Sequence, residues 1–450
     1  MQFSSIADLR AFLDDAKIQI HKVAVVDIDG VLRGKTVSRE KFLSMLEEGF
    51  GFCDVVVGWD VGDVLYDNGT LSGPSTGYRD APVTLRTESI RMVPGEPRAV
   101  LALGEFGGAY ETGCSRRLLE RVIHAAREMG YRARGGFEYE FFVFKETPHS
   151  IREKGYRNLT PFTPGMFGYS MLRTSVHADL MREFWEWSET LGTPLEGLHT
   201  ETGPGVLEAA LAHAPLGEAA ERAAVFKTFT KVFFQKRDLL ATFMAKWNTN
   251  LPGQSGHLHL SLEDTSGKNL FFDKERGQGT DLLEHFVAGQ VQLMPELLAM
   301  VAPTINSYRR LVPGFWAPTY ANFGEDNRTA AVRTILAGPK GTRAEYRIGA
   351  ADANPYLVAA VALASGLYGI RHKLRATPIS GDGDRDPGPG AARLARDLRE
   401  ATELLARSEA ARELFGDAFV EFYVKTREFE VVRFERQVTD YELERYFEII

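Results

Sequence analysis

Several stretches of this chain carry polar side chains at alternate positions, the spacing at which a β-strand turns them onto one face. Residues 135–145 read Gly-Gly-Phe-Glu-Tyr-Glu-Phe-Phe-Val-Phe-Lys, so Glu138 and Glu140 share one face while Phe137, Tyr139 and Phe141 take the other. Two carboxylates about 7 Å apart repel by roughly 2 kcal/mol at an effective dielectric of about 20, which on a buried strand calls for positive charge. Residues 253–261 bring His257, His259 and Ser261 to one face of a second strand, and residues 343–347 do the same for Arg343, Glu345 and Arg347. Glu201 and Glu208 flank a Gly-Pro-Gly turn, and Arg310, Arg328 and Arg333 follow in and beyond the segment 306–318. Each pattern alone also describes an exposed sheet face or a plain turn. Together, five carboxylates and an imidazole are what two hard divalent cations require, and arginines beside such a site suit phosphoryl transfer.

The elements that must position these groups follow from periodicity. Residues 4–16 predict an opening helix, His21 to Asp29 a strand, 31–38 a turn into a second strand, and 41–48 a helix. Short strands and Pro/Gly turns continue to about residue 105, giving a small α+β unit. Ser115 is the expected N-cap of a helix over 116–129, with Leu118, Leu119, Val122, Ile123 and Ala126 on one face and Gly130 closing it. Further helices are expected over 171–191, 215–245 (the longest), 279–301 and 354–373, with helices again from 392 to 450. Residues 377–390 are turn-formers and predict a mobile surface loop.

Composition narrows the class. With 450 residues, 44% hydrophobic and 25% charged, the chain is long enough for two or three domains with a real core. A formal charge of -8 with no basic run argues against nucleic acid or an acidic membrane as partner. Cys53 and Cys114, the only two cysteines, support neither a disulfide framework nor a thiolate metal site, which fits a reducing cytoplasm. No signal-peptide pattern opens the chain, and the longest apolar run, 355–370, is too short to span a bilayer.

In this order, the segments resemble the glutamine synthetase family, and within it the γ-glutamylamide and γ-glutamylpolyamine synthetase-like branch. The resemblance rests on Phe137-Glu-x-Glu-Phe-Phe142, Glu201 and Glu208 around Pro-Gly, His257-x-His-x-Ser261, and Asn306-Ser-Tyr-x-Arg310 with Ala317-Pro318. Asn327-Arg328 with Arg333, Arg343-x-Glu-x-Arg347 with Asn354-Pro-Tyr-Leu357, and Val438-Thr-Asp-Tyr-Glu442 complete it. It implies an α+β fold, with a small β-grasp-like domain over 1–105 and a large catalytic domain over 106–450 built on a curved antiparallel sheet. It implies that Glu140, Glu201 and Glu208 hold one metal near glutamate and the amine. Glu138, His257 and Glu345 would hold another on the ATP phosphates, with two or three Mg2+ or Mn2+ in all. His259, Ser261, Lys340 and Arg343 would lie near the nucleotide, Arg310 and Arg347 would grip glutamate, and Arg328 and Arg333 would stabilise the transferring phosphoryl group. Asp60, in Gly58-Trp-Asp-Val-Gly62, would be supplied to a neighbouring subunit's site in a dodecamer of two stacked rings. The implied reaction is ATP-dependent ligation of the γ-carboxylate of glutamate to an amine through γ-glutamyl phosphate, in the cytoplasm.

Three departures from the family stand out. Trp316 takes the place of the glutamate that, in ammonia-using members, closes over the site and helps deprotonate ammonium, so an organic amine is expected as nucleophile, with Asp60 as its base. Val206 stands where glutamine is usual, and Gln254-Ser-Gly-His257 is one residue shorter than the usual Gly-Ser-Gly-x-His. The 377–390 loop also lacks the tyrosine that adenylylated members modify, so no such regulation is expected. Rival readings are a glutamine synthetase using ammonia, an inactive homologue, and a haloacid-dehalogenase-like phosphatase. The last would take Asp27 of Val-Val-Asp-Ile-Asp-Gly as nucleophile, but no parallel βαβ series accompanies it.

Overall fold

The computed structural model describes residue 3 and residues 5–450. Two sheets organise it. The first has six strands in the order Leu32–Val37, Ile20–Val26, Ala99–Phe106, Asp80–Leu85, Phe50–Cys53, with Arg91–Met92 also paired to Ala99–Phe106. Ile20–Val26 and Ala99–Phe106 run parallel while the other pairs are antiparallel, which is the β-grasp-like arrangement. Helices Ile6–Asp15 and Arg39–Glu48 bury Leu9, Leu13, Phe42, Leu43 and Met45 against Val23, Val100 and Ala102. The opening helix is capped by Ser5, and residue 4 of the expected span lies outside the described residues.

The second sheet has nine strands and is curled. Its main path runs Phe323–Glu325, Val332–Ile335, Arg343–Tyr346, Gly256–Glu263, Arg132–Phe144, Val206–Leu211, Leu195–Thr200. The 13-residue Arg132–Phe144 strand is its spine. Phe137, Tyr139 and Phe141 point into the core, where they meet Phe226 and Phe243. Helices Leu216–Gln235, Asp281–Val301 and Pro355–His372 back this face. Gly289 and Gly369 let the last two helices approach until a Cβ on Gly369 would lie 2.1 Å from the His285 carbonyl oxygen.

Some expectations needed correction. The 171–191 helix is two, Met171–Val176 and Ala178–Leu191, broken at His177. The helix expected to reach residue 245 stops at Gln235, because Asp238 takes a left-handed φ of 54° and Leu240–Thr242 pairs with Arg132–Phe144 as a strand. Asp281–Val301, at 21 residues, exceeds it in length. Cys114, not Ser115, is the N-cap of Ser115–Glu128; the Ser115 hydroxyl instead accepts from Asn354 Nδ2 at 3.1 Å. The 377–390 loop is pinned: Asp384 accepts from the Thr319 backbone and hydroxyl (3.1 and 2.7 Å), and Asn322 and Asn327 donate to the carbonyls of Gly383 and Gly381.

The phosphatase-like motif has a structural use. Its strand ends at Val26, and the buried Asp27 carboxylate accepts from the backbone N–H groups of Asp29 (3.0 Å) and Val31 (2.8 Å) and from Arg33 Nε (2.9 Å). A nucleophile needs a free oxygen facing substrate, and here both are engaged in folding the turn. That turn docks on the rest of the chain: Asn354 Nδ2 donates to the carbonyls of Asp27 and Ile28 (3.2 and 3.0 Å), and Arg427 pairs with Asp29 at 2.7 Å. No helix among the described residues is long and apolar enough to cross a membrane.

Candidate active site

The face of the nine-stranded sheet opposite its helices opens into a cleft of about 1310 Å³. Register decides what meets there. Glu138 is the cross-strand partner of His257, Glu140 of Glu208, and Glu208 also of His199 on the next strand. On the other side His259 lies opposite Glu345, and Glu345 opposite Arg333. Cross-strand neighbours sit about 5 Å apart, so alternation within strands becomes a row of charge across them.

The cleft is lined by Glu138, Glu140, Glu201, Glu208, His257 and Glu345, and also by His259, Ser261, Arg310, Trp316, Arg328, Arg333, Lys340, Arg343 and Arg347. Asp60 is not among them. It caps its own turn in the first sheet's domain, where Oδ1 accepts from the N–H groups of Gly62 (2.8 Å) and Val64 (2.9 Å). The tightest acid–imidazole groups differ from the triads inferred by resemblance. Ligand atoms of Glu138, His199 and Glu208 lie within 4.8 Å of one another, as do those of Glu138, His259 and Glu345, so Glu138 is shared. Glu140 Oε2 is engaged by the Ser255 N–H and hydroxyl, both at 2.6 Å.

Sequence reading missed His199, Ser255 and Tyr169. His199 Nε2 lies 3.6 Å from Glu208 and its ring stacks on Tyr169 at 4.5 Å. His199 and Ser255 each stand two residues before a residue already singled out, Glu201 and His257, so the alternating signature extended to both. Tyr169 reaches the cleft from a loop and left no such signal.

The electrostatics are those of acids short of cations. Burial, then a hydrogen bond to Glu138 and the charges of Glu138, Glu140 and Glu201, push Glu208 up to about 12. Burial also raises Glu138, but hydrogen bonds with His257, His259 and the protonated Glu208 outweigh it and hold it well below the usual carboxylate range. Burial acts on Glu345 too, and the neighbouring His257 and Arg347 bring it down to about 2. Arg347 Nη1 donates to Glu345 at 2.5 Å, and Arg333 Nη1 at 3.1 Å. Arg343 Nε donates to His259 Nδ1 (2.9 Å), which leaves the proton on Nε2 facing Glu138 at 3.1 Å. Arg310 is buried and donates to the carbonyls of Ile348 (3.1 Å) and Arg347 (3.0 Å), and burial lowers its pKa to about 10. Arg328 and Lys340 form no ion pair among the described residues. Two buried atoms at the acidic end, Glu201 Oε2 and His257 Nε2, have no hydrogen-bond partner among the described residues. A hard cation satisfies such a donor set, since it supplies the missing charge and takes up oxygen and imidazole ligands at once.

Comparison with known proteins agrees with this chemistry. Residues 112–446 match the glutamine synthetase catalytic domain. The chain is 44% identical over 437 residues to type-1 glutamine synthetase 2 of Dictyostelium discoideum, covering 95% of this chain and 84% of that protein. It is 35% identical over 451 residues to a glutamate–isopropylamine ligase of a Pseudomonas species, covering 99% and 98%. The solved structure of GmaS without ligand superposes with a TM-score of 0.85 at 24% identity, over 99% of this chain and 100% of that one. The chain therefore belongs to the glutamine synthetase family and is an ATP-dependent carbon–nitrogen ligase.

Proposed function

We propose that this enzyme joins the γ-carboxylate of glutamate to an organic amine. The observation that carries the reading is Trp316, which is 62% exposed and lines the cleft beside Phe315, at the position where ammonia-using members of the family carry a glutamate. An indole takes no proton, but its face attracts an alkylammonium and its bulk packs an apolar substituent. Tyr169 adds a third aromatic ring to the cleft wall.

Glu140, Glu201 and Glu208, and Glu138, His257 and Glu345, would hold two divalent cations, Mg2+ or Mn2+, with His199 and His259 beside them. Bound there, the cations would offset charge on carboxylate and phosphate oxygens. Ser261, His259, Lys340 and Arg343 would meet the nucleotide, and Arg310 and Arg347 the amino acid. A γ-carboxylate oxygen attacks the terminal phosphorus of ATP and the bond to ADP breaks, with Arg328 and Arg333 drawing charge from the phosphoryl oxygens. The amine nitrogen then attacks the acyl carbon, phosphate leaves, and a base takes the amine proton. Asp60 of a neighbouring subunit is the proposed base; its Oδ2 makes no hydrogen bond in its own turn. The proposed boundary between the two domains lies at residue 105, near the end of strand Ala99–Phe106, and the proposed ring assembly, a cytoplasmic dodecamer, is tested by light scattering.

One observation favours ammonia instead: the relative at 44% identity is a glutamine synthetase by name. A panel of ammonium, isopropylamine, ethanolamine and putrescine, with glutamate and ATP, decides between them by ADP release. An organic amine should give the highest kcat/KM, and Trp316→Glu should shift the ammonia-to-alkylamine ratio at least tenfold towards ammonia, about 1.4 kcal/mol. If ammonium is already preferred by the native enzyme, the organic-amine reading is wrong.

A further inference from the structure

The loop that presents Trp316 is held by packing rather than by hydrogen bonds. Among the described residues, 313–318 make no hydrogen bond to any other part of the chain; the first such bond is made by Thr319. Gly314 and Trp316 both take left-handed backbone, with φ of 81° and 59°, and for a tryptophan that conformation is strained. Something must offset that strain: Ala317 and Pro318 are buried and hold the far side of the loop, and on the near side Phe315 makes a contact of its own. Its ring face lies 3.9 Å from Lys246 Nζ.

Lys246 is itself unusual. It is 6% exposed, and among the described residues its Nζ has no hydrogen-bond partner and forms no ion pair. Its backbone is clamped: the N–H donates to Asn306 Oδ1 and the carbonyl accepts from Asn306 Nδ2, both at 2.7 Å. Next to it, the Ala245 carbonyl accepts from the Gln254 N–H at 2.7 Å, and this ties the segment to the floor of the cleft. A buried ammonium on a rigid base, facing only an aromatic ring, is a cation–π anchor, a contact whose strength rises when water is excluded.

We propose that Lys246 is a positioning residue which, through the face of Phe315, holds the 313–316 loop so that Trp316 stands over the amine end of the cleft and sets amine selectivity. The selectivity half rests on the function proposed above; the anchoring half does not. The contact works through Phe315, so removing either partner has the same consequence, and removing both costs no more than removing one. A desolvated cation–π pair corresponds to about a tenfold change in an equilibrium constant or more.

The test compares Lys246→Met, Lys246→Arg, Phe315→Leu and the Met/Leu double variant in the full-length enzyme. Limited chymotrypsin digestion reads the loop directly. Cleavage after Trp316, which every variant retains, located by mass spectrometry, should quicken about tenfold in Lys246→Met and in Phe315→Leu, no further in the double variant, and return towards the native rate in Lys246→Arg. Cleavage after the exposed Phe447 is the internal reference and should not change. In steady state, KM for isopropylamine should rise about tenfold in either single variant, with KM for glutamate and for ATP within twofold of native. Unchanged loop cleavage, or additive effects in the double variant, overturns the anchor. Should Lys246→Met destabilise the whole enzyme, cleavage after the buried Phe226 rises as well, and the half-exposed Phe315→Leu then decides alone. Quickened cleavage with unchanged amine KM leaves the anchor standing and overturns the selectivity it was assigned. A rise in KM for glutamate instead would make Lys246 a substrate contact and overturn the positioning role.

Discussion

Replacing Glu208 by glutamine should stabilise the metal-free enzyme while removing its response to metal. The carboxyl is pushed from an ordinary 4.5 to about 12 by burial and by the acids around it. Because the folded pKa is raised, the native state keeps a proton that the unfolded chain releases above 4.5, so stability falls as pH rises from there. At pH 7 the gap is about 2.5 pH units, and at about 1.4 kcal/mol per unit the loss is of order 3 kcal/mol. Glutamine reproduces the shape of the protonated acid without that cost. In EDTA at pH 7, urea unfolding of Glu208→Gln should therefore give a stability about 3 kcal/mol above native. With Mn2+ at a hundred times its dissociation constant, the native enzyme should gain about 2.7 kcal/mol by mass action and the variant far less. Adding metal then closes most of the gap between the two proteins. A variant no more stable than native in EDTA, or one that keeps the full metal response, would refute the claim that these acids are arranged for a cation.

Other consequences lie away from the cleft. Arg427 and Asp29 form a buried pair at 2.7 Å that joins the turn of the first sheet's domain to helix Asp417–Glu435, so Arg427→Met should cost about 3–5 kcal/mol by leaving a buried carboxylate unpaired, measured by urea unfolding. A cost under 1 kcal/mol would mean the pair contributes little. His21 is buried against Phe42 with neither ring nitrogen hydrogen-bonded among the described residues, and burial, together with the charge of Arg39, lowers its pKa despite nearby Glu40. Below about pH 6.5 the unfolded chain takes up a proton that native His21 resists, so stability falls by up to about 1.4 kcal/mol per pH unit. His21→Leu should reduce the loss between pH 6.5 and 5, and an unchanged loss in thermal or urea unfolding would exclude His21 as the source.

Much of the cleft was legible because a strand has a period of two: Glu138 with Glu140, His257 with His259, and Arg343 with Glu345 had to share a face once their segments were read as strands. What alternation cannot give is register. Nothing local says that Glu345 will stand opposite His259, or that Glu138 will serve both acid–imidazole groups. Those are outcomes of which strands pair and by how many residues they are offset. Long-range pairing also explains the overlong helix: residues 236–245 carry helix-compatible side chains, but Leu240–Thr242 gains more by pairing with Phe142–Phe144. The Asp27 motif misled for a related reason. A carboxylate that accepts backbone N–H groups two and four residues ahead has the same sequence signature whether it shapes a turn or faces a substrate.

The register does more than gather charge; it sorts it. At one edge of the row Glu345 is flanked by Arg347 and Arg333 and lies at about 2, so its negative charge is already matched within the protein. At the other edge Glu208 faces Glu138, Glu140 and Glu201, with His199 as the nearest nitrogen base, and is driven up to about 12. A cation gains most where acids are unmatched, and an anionic phosphoryl group gains most near Arg328 and Lys340, which form no ion pair among the described residues. The cleft is therefore polarised before anything binds, and a phosphoryl group and a metal-bound carboxylate would enter it in one orientation. Glu138, shared by both acid–imidazole groups, is the point where the two environments meet, so changing it should disturb both ends, whereas changing Glu208 or Glu345 should disturb one.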